Sequence, residues 1–200
     1  MNATEKSTVL ILLRHASTNL NDEGFVQGSK TDPNLSSKGQ LQAQNLSKDL
    51  LKYKIDVIYS SDMKRCKETL APFLKLTKMN VNYTSALRER DYGIFDGKPE
   101  KEYDAWKKEH GMKQNFDISL PDGESFNKDI IPRVRVFLKS ILKKESGKTI
   151  LICSHNVINK AIMLILSDQK AEEYYNKYKF DNASLTVVTI SGQNLKQMSL

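Results

Sequence analysis

Apolar residues in this chain alternate between short unbroken runs and longer stretches where they recur every three or four positions. Val9-Leu10-Ile11-Leu12-Leu13 is a continuous run of strand length, the pattern of a strand covered on both faces. Ile55–Tyr59, Val81–Thr84, Thr149–Cys153 and Leu185–Ile190 read as further strands. Between them the period lengthens. Ser36 or Ser37 caps a helix bearing Leu41, Leu46, Leu50 and Leu51. A second helix begins near Met63 and carries Cys66, Leu70, Phe73 and Leu74, with Pro72 inside it as an expected kink. Residues 98–110 read as helix and Gly111–Gly123 as loop. A long amphipathic pattern then runs through Phe126, Ile130, Val134, Leu138 and Ile141, where Pro132 is expected to bend the helix or shift its start. Asn156–Leu166 is an apolar helix and Ala171–Lys177 a polar one. Strands alternating with helices predict a three-layer α/β fold, a mostly parallel sheet with helices on both faces. With no repeat or linker, the expectation is one domain over residues 1–200, with 88–130 as a small cap.

Composition agrees with a globular chain and removes several classes. Hydrophobic residues make up 39% and charged residues 28%, too balanced for general disorder. A chain of 200 residues buries roughly 70% of its unfolded surface, so no disulfide or metal staple is required. Cys66 and Cys153 give no disulfide framework, and no run approaches the ~20 apolar residues of a membrane span. A cytoplasmic address is the expectation, with no membrane partner. The net charge of +7 comes from lysines scattered along predicted helix faces, with no arginine-rich run. That is a solvated surface rather than a nucleic-acid footprint. A homodimer is left open.

Chemistry concentrates at strand ends. In open α/β sheets, ligands bind outside the carboxyl ends of the strands. His15 stands just after the first strand and His155 just after the fourth. Arg14 adjoins His15, and Arg65 lies one turn into the helix after the second strand. The polar stretch from Ala16 to Leu35 is a loop long enough to be functional. Guanidinium forks suit phosphate oxygens, and an unprotonated imidazole nitrogen can attack phosphorus. The combination points to a phosphoryl site. His110 reads as a surface residue, no His/Cys/carboxylate spacing suits zinc, and Ser146-Gly147-Lys148-Thr149 precedes a strand, unlike a P-loop.

Longer blocks carry a resemblance. Arg14-His15-Ala16-Ser17-Thr18-Asn19-Leu20-Asn21 follows the first strand, then come Gln27-Gly28 and Asp32-Pro33-Asn34-Leu35-Ser36-Ser37-Lys38-Gly39-Gln40-Leu41-Gln42-Ala43. Tyr59-Ser60-Ser61 leads to Arg65 and Thr69, and Leu87-Arg88-Glu89 leads to Gly93, Asp96 and Gly97. Pro121-Asp122-Gly123-Glu124-Ser125, Ser154-His155-Asn156 and Asn182-Ala183-Ser184 complete the order. In this series the chain resembles the phosphatase branch of the histidine phosphatase superfamily, which includes phosphoglycerate mutase-like proteins. The resemblance implies that His15 becomes phosphohistidine, and that Arg14, Arg65 and His155 bind phosphoryl oxygens. It places Asn21, Gln27, Gly28 and Asn156 around the pocket, makes Glu89 the proton donor and then acceptor, and implies no metal or organic cofactor. On physical grounds His15 needs one nitrogen fixed by a carbonyl, His155 acts better as a donor or cation, and Glu89 needs desolvation to stay protonated.

Three departures stand out: Ala16 and Asn156 replace the family's usual glycines, and Asp96 replaces its usual glutamate. Gln27-Gly28 in place of Gly-Trp, and the absence of a larger insertion after the acid segment, favour hydrolysis of a small phosphorylated metabolite over mutase chemistry. A non-catalytic phosphate-binding module is the remaining alternative. Phe95, Tyr103, Trp106, Phe116 and Phe126 are candidate substrate determinants, and Arg88 and Arg90 hint at a second anionic group on the substrate.

Overall fold

The computed structural model describes residues 7–112, 116 and 118–191. Strands β1 (Thr8–Arg14), β2 (Val57–Ser61), β3 (Val81–Thr84), β4 (Thr149–Ser154) and β5 (Leu185–Ile190) form one sheet in the order β3-β2-β4-β1-β5. The first four are mutually parallel, and β5 runs antiparallel along the outer side of β1. Helices α1 (Asn19–Asp22), α2 (Ser37–Leu50), α3 (Lys64–Thr77), α4 (Glu100–Glu109), α5 (Ile131–Lys144), α6 (Asn156–Ser167) and α7 (Ala171–Tyr174) fill the connections. Among the described residues no helix is long and apolar enough to cross a membrane.

Side-chain alternation makes the layers. Leu10, Leu12, Ile150 and Ile152 face Val134, Leu138 and Ile141 of α5 and Ile158 and Ile162 of α6. Ile11, Leu13, Leu151 and Cys153 point the other way, onto Leu46 and Leu50 of α2 and Leu70 and Phe73 of α3. The unbroken apolar run of β1 follows from its place between β4 and β5, with helices over both faces. Each fully buried aliphatic side chain there contributes about 1.5–3 kcal/mol of transfer free energy.

Pro132 sits where its missing N–H does least harm. Pro132 lies in the first turn of α5, and the segment before it, Phe126–Ile130, winds as a π-helix capped by the Ser125 hydroxyl. The proline shifts the start of the helix. Pro72 lies inside α3, which continues to Thr77. The polar helix expected over 171–177 stops at Tyr174, where Tyr175 turns against Phe116 and Phe126 at ring separations of 5.1 and 5.0 Å.

Residues 88–130 divide between two cores. Phe95, Tyr103, Met112 and Leu120 make a small cluster with Val26, flanked by Tyr92 and Trp106. Phe116, Phe126 and Ile130 join the main core. Phe116 and Phe126 are therefore packing residues of the main core.

Gly39, inside α2, is pressed against the backbone of Ser17, and a Cβ there would overlap the Ser17 carbonyl oxygen. Helix propensity alone would make Gly39→Ala stabilising by up to about 1 kcal/mol. The close approach reverses the sign: Gly39→Ala is expected to lower stability by about 1–3 kcal/mol in urea titration.

Candidate active site

Parallel pairing of β1 with β4 sets Arg14 beside Ser154, so the next residue of each strand, His15 and His155, emerges at the same edge. The His15 amide donates to the Ser154 carbonyl at 3.0 Å, and the two imidazole centroids lie 5.1 Å apart. His15 Nδ1 contacts the Ala16 carbonyl at 2.8 Å. A carbonyl only accepts, so Nδ1 carries the proton and Nε2 the lone pair. Burial, then Arg65 and Arg14, hold the His15 pKa well below its usual 6.5. Ala16 is buried without left-handed backbone, and its amide donates to Thr69 Oγ1 at 2.9 Å. The methyl group that replaces the family's glycine therefore introduces no strain.

His155 differs from the expectation of a donor or cation. Its Nδ1 accepts from Arg65 Nε at 3.1 Å, which leaves the proton on Nε2, 2.9 Å from Ser61 Oγ at the end of β2. Burial, then Arg65, push its pKa well below 6.5, so this imidazole is neutral as well. Arg65 is fully buried, and each guanidinium nitrogen already has a protein acceptor. Nε serves His155, Nη1 the Thr31 carbonyl at 2.9 Å, and Nη2 the Gly28 carbonyl at 3.0 Å. Arg65 thus delivers positive potential rather than a free fork. Gly28 participates only through its backbone: its amide donates to Asp96 at 2.9 Å, and a Cβ would strike Asp96 and the Arg90 carbonyl.

Glu89 is buried beside the amino end of α6, accepting from the Arg90 amide at 2.9 Å and the Val157 amide at 3.3 Å. Desolvation raises its pKa above 4.5 against the pull of those amides, Arg65 and Arg14. His15, Arg14 and Glu89 share a cavity of about 110 Å³ whose wall includes Asn21, Gln27 and Asn156. Arg14 anchors to the Phe180 carbonyl at 2.7 Å, while its buried Nε has no partner among the described residues. Gln27 Nε2 donates to Thr18 Oγ1 at 2.9 Å, and Asn156 opens α6 with ordinary backbone angles.

Some residues belong to the site without having been singled out. Asn182 donates to the His15 carbonyl at 3.0 Å and to Asn21 Oδ1 at 3.2 Å. Ser61 orients His155, and Tyr92 and Glu100 line the cavity beside Tyr103. Ser61 and Asn182 both sat inside recognisable blocks, whereas nothing in the sequence pointed to Glu100. Arg88 and Arg90 do not face the cavity. Arg88 pairs with Asp62 at 2.7 Å, and Arg90 holds the Glu124 carbonyl and the Tyr103 hydroxyl.

A family model described as the histidine phosphatase superfamily (branch 1) matches residues 10–199. The chain belongs to that superfamily. Phosphoserine phosphatase 1 of Hydrogenobacter thermophilus is 29% identical over 187 residues, covering 90% of this chain and 85% of that protein. A Schizosaccharomyces pombe protein named "Probable phosphatase" is 46% identical over 89 residues, where the match spans 44% of this chain and 42% of that protein. The fold matches mycobacterial glucosyl-3-phosphoglycerate phosphatase with a TM-score of 0.82 at 24% identity, over 92% of this chain and 91% of that one.

Both imidazoles are neutral when folded and gain protons near pH 6.5 when unfolded. Their contribution to stability is complete above pH 6.5 and is lost as pH falls toward their folded values, by up to about 1.4 kcal/mol per pH unit each. Glu89 works the other way, losing stability as pH rises from 4.5 through its raised folded pKa. His155→Asn should therefore flatten the dependence of unfolding free energy on pH between about 6.5 and 5.5.

Proposed function

We propose that this phosphatase hydrolyses small phosphomonoesters through a phosphohistidine at Nε2 of His15. The observation that carries the reading is the 2.8 Å contact of Nδ1 with the Ala16 carbonyl, which requires the proton on Nδ1 and leaves the Nε2 lone pair free in the cavity shared with Arg14 and Glu89. In the first step Nε2 bonds to phosphorus while the bond to the ester oxygen breaks. Glu89, protonated, gives its proton to the departing alkoxide. In the second step Glu89, now a carboxylate, takes a proton from water as its oxygen attacks phosphorus and the P–N bond breaks. Inorganic phosphate leaves and both groups regain their starting states.

Arg14 meets the phosphoryl oxygens directly. Arg65 adds positive potential from beneath the pocket, and His155 turns its Nε2–H from Ser61 to a phosphoryl oxygen, so charge developing on the equatorial oxygens meets a favourable field. Asn21, Gln27 and Asn156 line the approach, and the backbone of Gly28 holds Arg65. Arg14 and Arg65 supply the positive charge that metal ions contribute in kinases. The relatives support hydrolysis: full-length matches are named as phosphatases of phosphoserine and of a glucosylated phosphoglycerate. Mutase chemistry is the less favoured reading and predicts interconversion of 2- and 3-phosphoglycerate faster than phosphate release.

His15→Ala should abolish phosphate release and acid-labile ³²P labelling in the presence of chelator; retained turnover in that variant would overturn the scheme. The pH profile of kcat/KM has a defined sign. His15 must be neutral, which holds above its lowered pKa, and Glu89 protonated, which holds below its raised one. Activity is therefore expected to peak below pH 7 and decline toward alkaline pH. Glu89→Gln should remove that alkaline limb and slow turnover about 10²–10⁴-fold on alkyl phosphates, and less on p-nitrophenyl phosphate.

A further inference from the structure

The cavity wall carries charged groups of both signs. Among its lining groups Arg14 is cationic, His15 is held neutral and Glu89 is shifted toward its neutral form. The remaining charged group of the wall is Glu100, an exposed residue whose side chain has no ion-pair or hydrogen-bond partner among the described residues.

The backbone origin of Glu100 is fixed from below. Its amide donates to the Gly24 carbonyl at 2.9 Å, and Pro99 pairs with Phe25 in an antiparallel bridge. Val26 donates to the Lys98 carbonyl at 2.8 Å and Gly97 to the Val26 carbonyl at 2.9 Å. Phe25 and Val26 line the same cavity, so the start of α4 and the loop over His15 form one stitched wall.

Among the described residues no basic side chain forms an ion pair with this carboxylate. Lys160, on α6, lies with Nζ 4.0 Å from the centre of the Tyr175 ring and outside the cavity wall. Arg88 and Arg90 are committed to Asp62, Glu124 and Tyr103. A carboxylate offers acceptors only. The organic half of a bound phosphomonoester therefore meets a wall that carries the Glu100 carboxylate.

We propose that Glu100 is a specificity-determining residue, selecting phosphomonoesters whose alcohol half carries free hydroxyls or an ammonium group and disfavouring those that carry a carboxylate there. The assignment rests on the phosphatase reading of the same cavity and adds the chemistry of the leaving group. A like charge at this wall costs about tenfold in relative affinity, allowing for solvent screening.

Glycerol 3-phosphate and 3-phosphoglycerate are nearly the same size and differ by a hydroxymethyl group against a carboxylate. O-Phosphoethanolamine supplies the ammonium. Each kcat/KM is divided by the same enzyme's value on p-nitrophenyl phosphate, for the native chain, Glu100→Gln and Glu100→Lys. The native enzyme should favour glycerol 3-phosphate and O-phosphoethanolamine over 3-phosphoglycerate. Glu100→Gln should shift that preference about tenfold toward 3-phosphoglycerate, and Glu100→Lys should shift it further. Ratios that stay equal across the three enzymes, or a native preference for 3-phosphoglycerate, overturn the assignment. Calorimetric binding of the same compounds to His15→Ala, with and without Glu100→Gln, reads the preference without turnover. A native chain inactive on p-nitrophenyl phosphate would instead strike the phosphatase reading, leaving the binding ratios to judge Glu100.

Discussion

The site depends on one registration: β1 lies beside β4 in parallel with Arg14 opposite Ser154. The bond from the His15 amide to the Ser154 carbonyl extends that ladder by one step beyond the paired strands. Because both strands point the same way, both chains leave the sheet at the same edge and both histidines leave with them. β2, on the other side of β4, ends at Ser61 and reaches His155 from there. Three adjacent strand ends thus supply the nitrogen lone pair, the second imidazole and its orienting hydroxyl. A slip of one residue would reverse which side chains face the core and part the two rings.

Arg65 gives this edge its electrostatic character. A buried guanidinium is costly unless its N–H groups are satisfied. Here the Thr31 and Gly28 carbonyls and an imidazole nitrogen do so, with Asp32 more distant at 3.5 Å. Neutral acceptors satisfy the donors without cancelling the charge. Its field therefore still reaches both histidines and Glu89, discouraging imidazolium and opposing, without overcoming, the desolvation that raises the carboxyl pKa. Ground-state protonation across the site follows largely from burial, with this one cation adjusting it.

The architecture was legible because burial on both faces writes unbroken apolar runs, and β1 and β4 carry the clearest of them. The reacting residues were legible as well, since His15 and His155 follow those runs directly and Glu89 sits in a recognisable block. Their protonation was harder to read. Which imidazole nitrogen bears the proton depends on partners such as Ser61 and the Ala16 carbonyl, distant or conformational facts that spacing cannot carry. Arg65 looked like a free fork because sequence reveals a donor but not the carbonyls that occupy it. Arg88 and Arg90 looked like substrate contacts for the same reason. Glu100 escaped notice because its place on the cavity wall arises from the Phe25–Pro99 bridge, which joins segments far apart in sequence.

Asn182 closes the site from a part of the chain 167 residues beyond His15, in the turn that leads into the antiparallel edge strand. Antiparallel entry requires that turn to lie at the sheet edge where the histidines emerge. During synthesis the nucleophile leaves the ribosome early, with its carbonyl still lacking this partner. The first four strands and helices α1 to α7 precede Asn182 in the chain. The His15 carbonyl therefore gains this donor only once nearly all of the chain has been made.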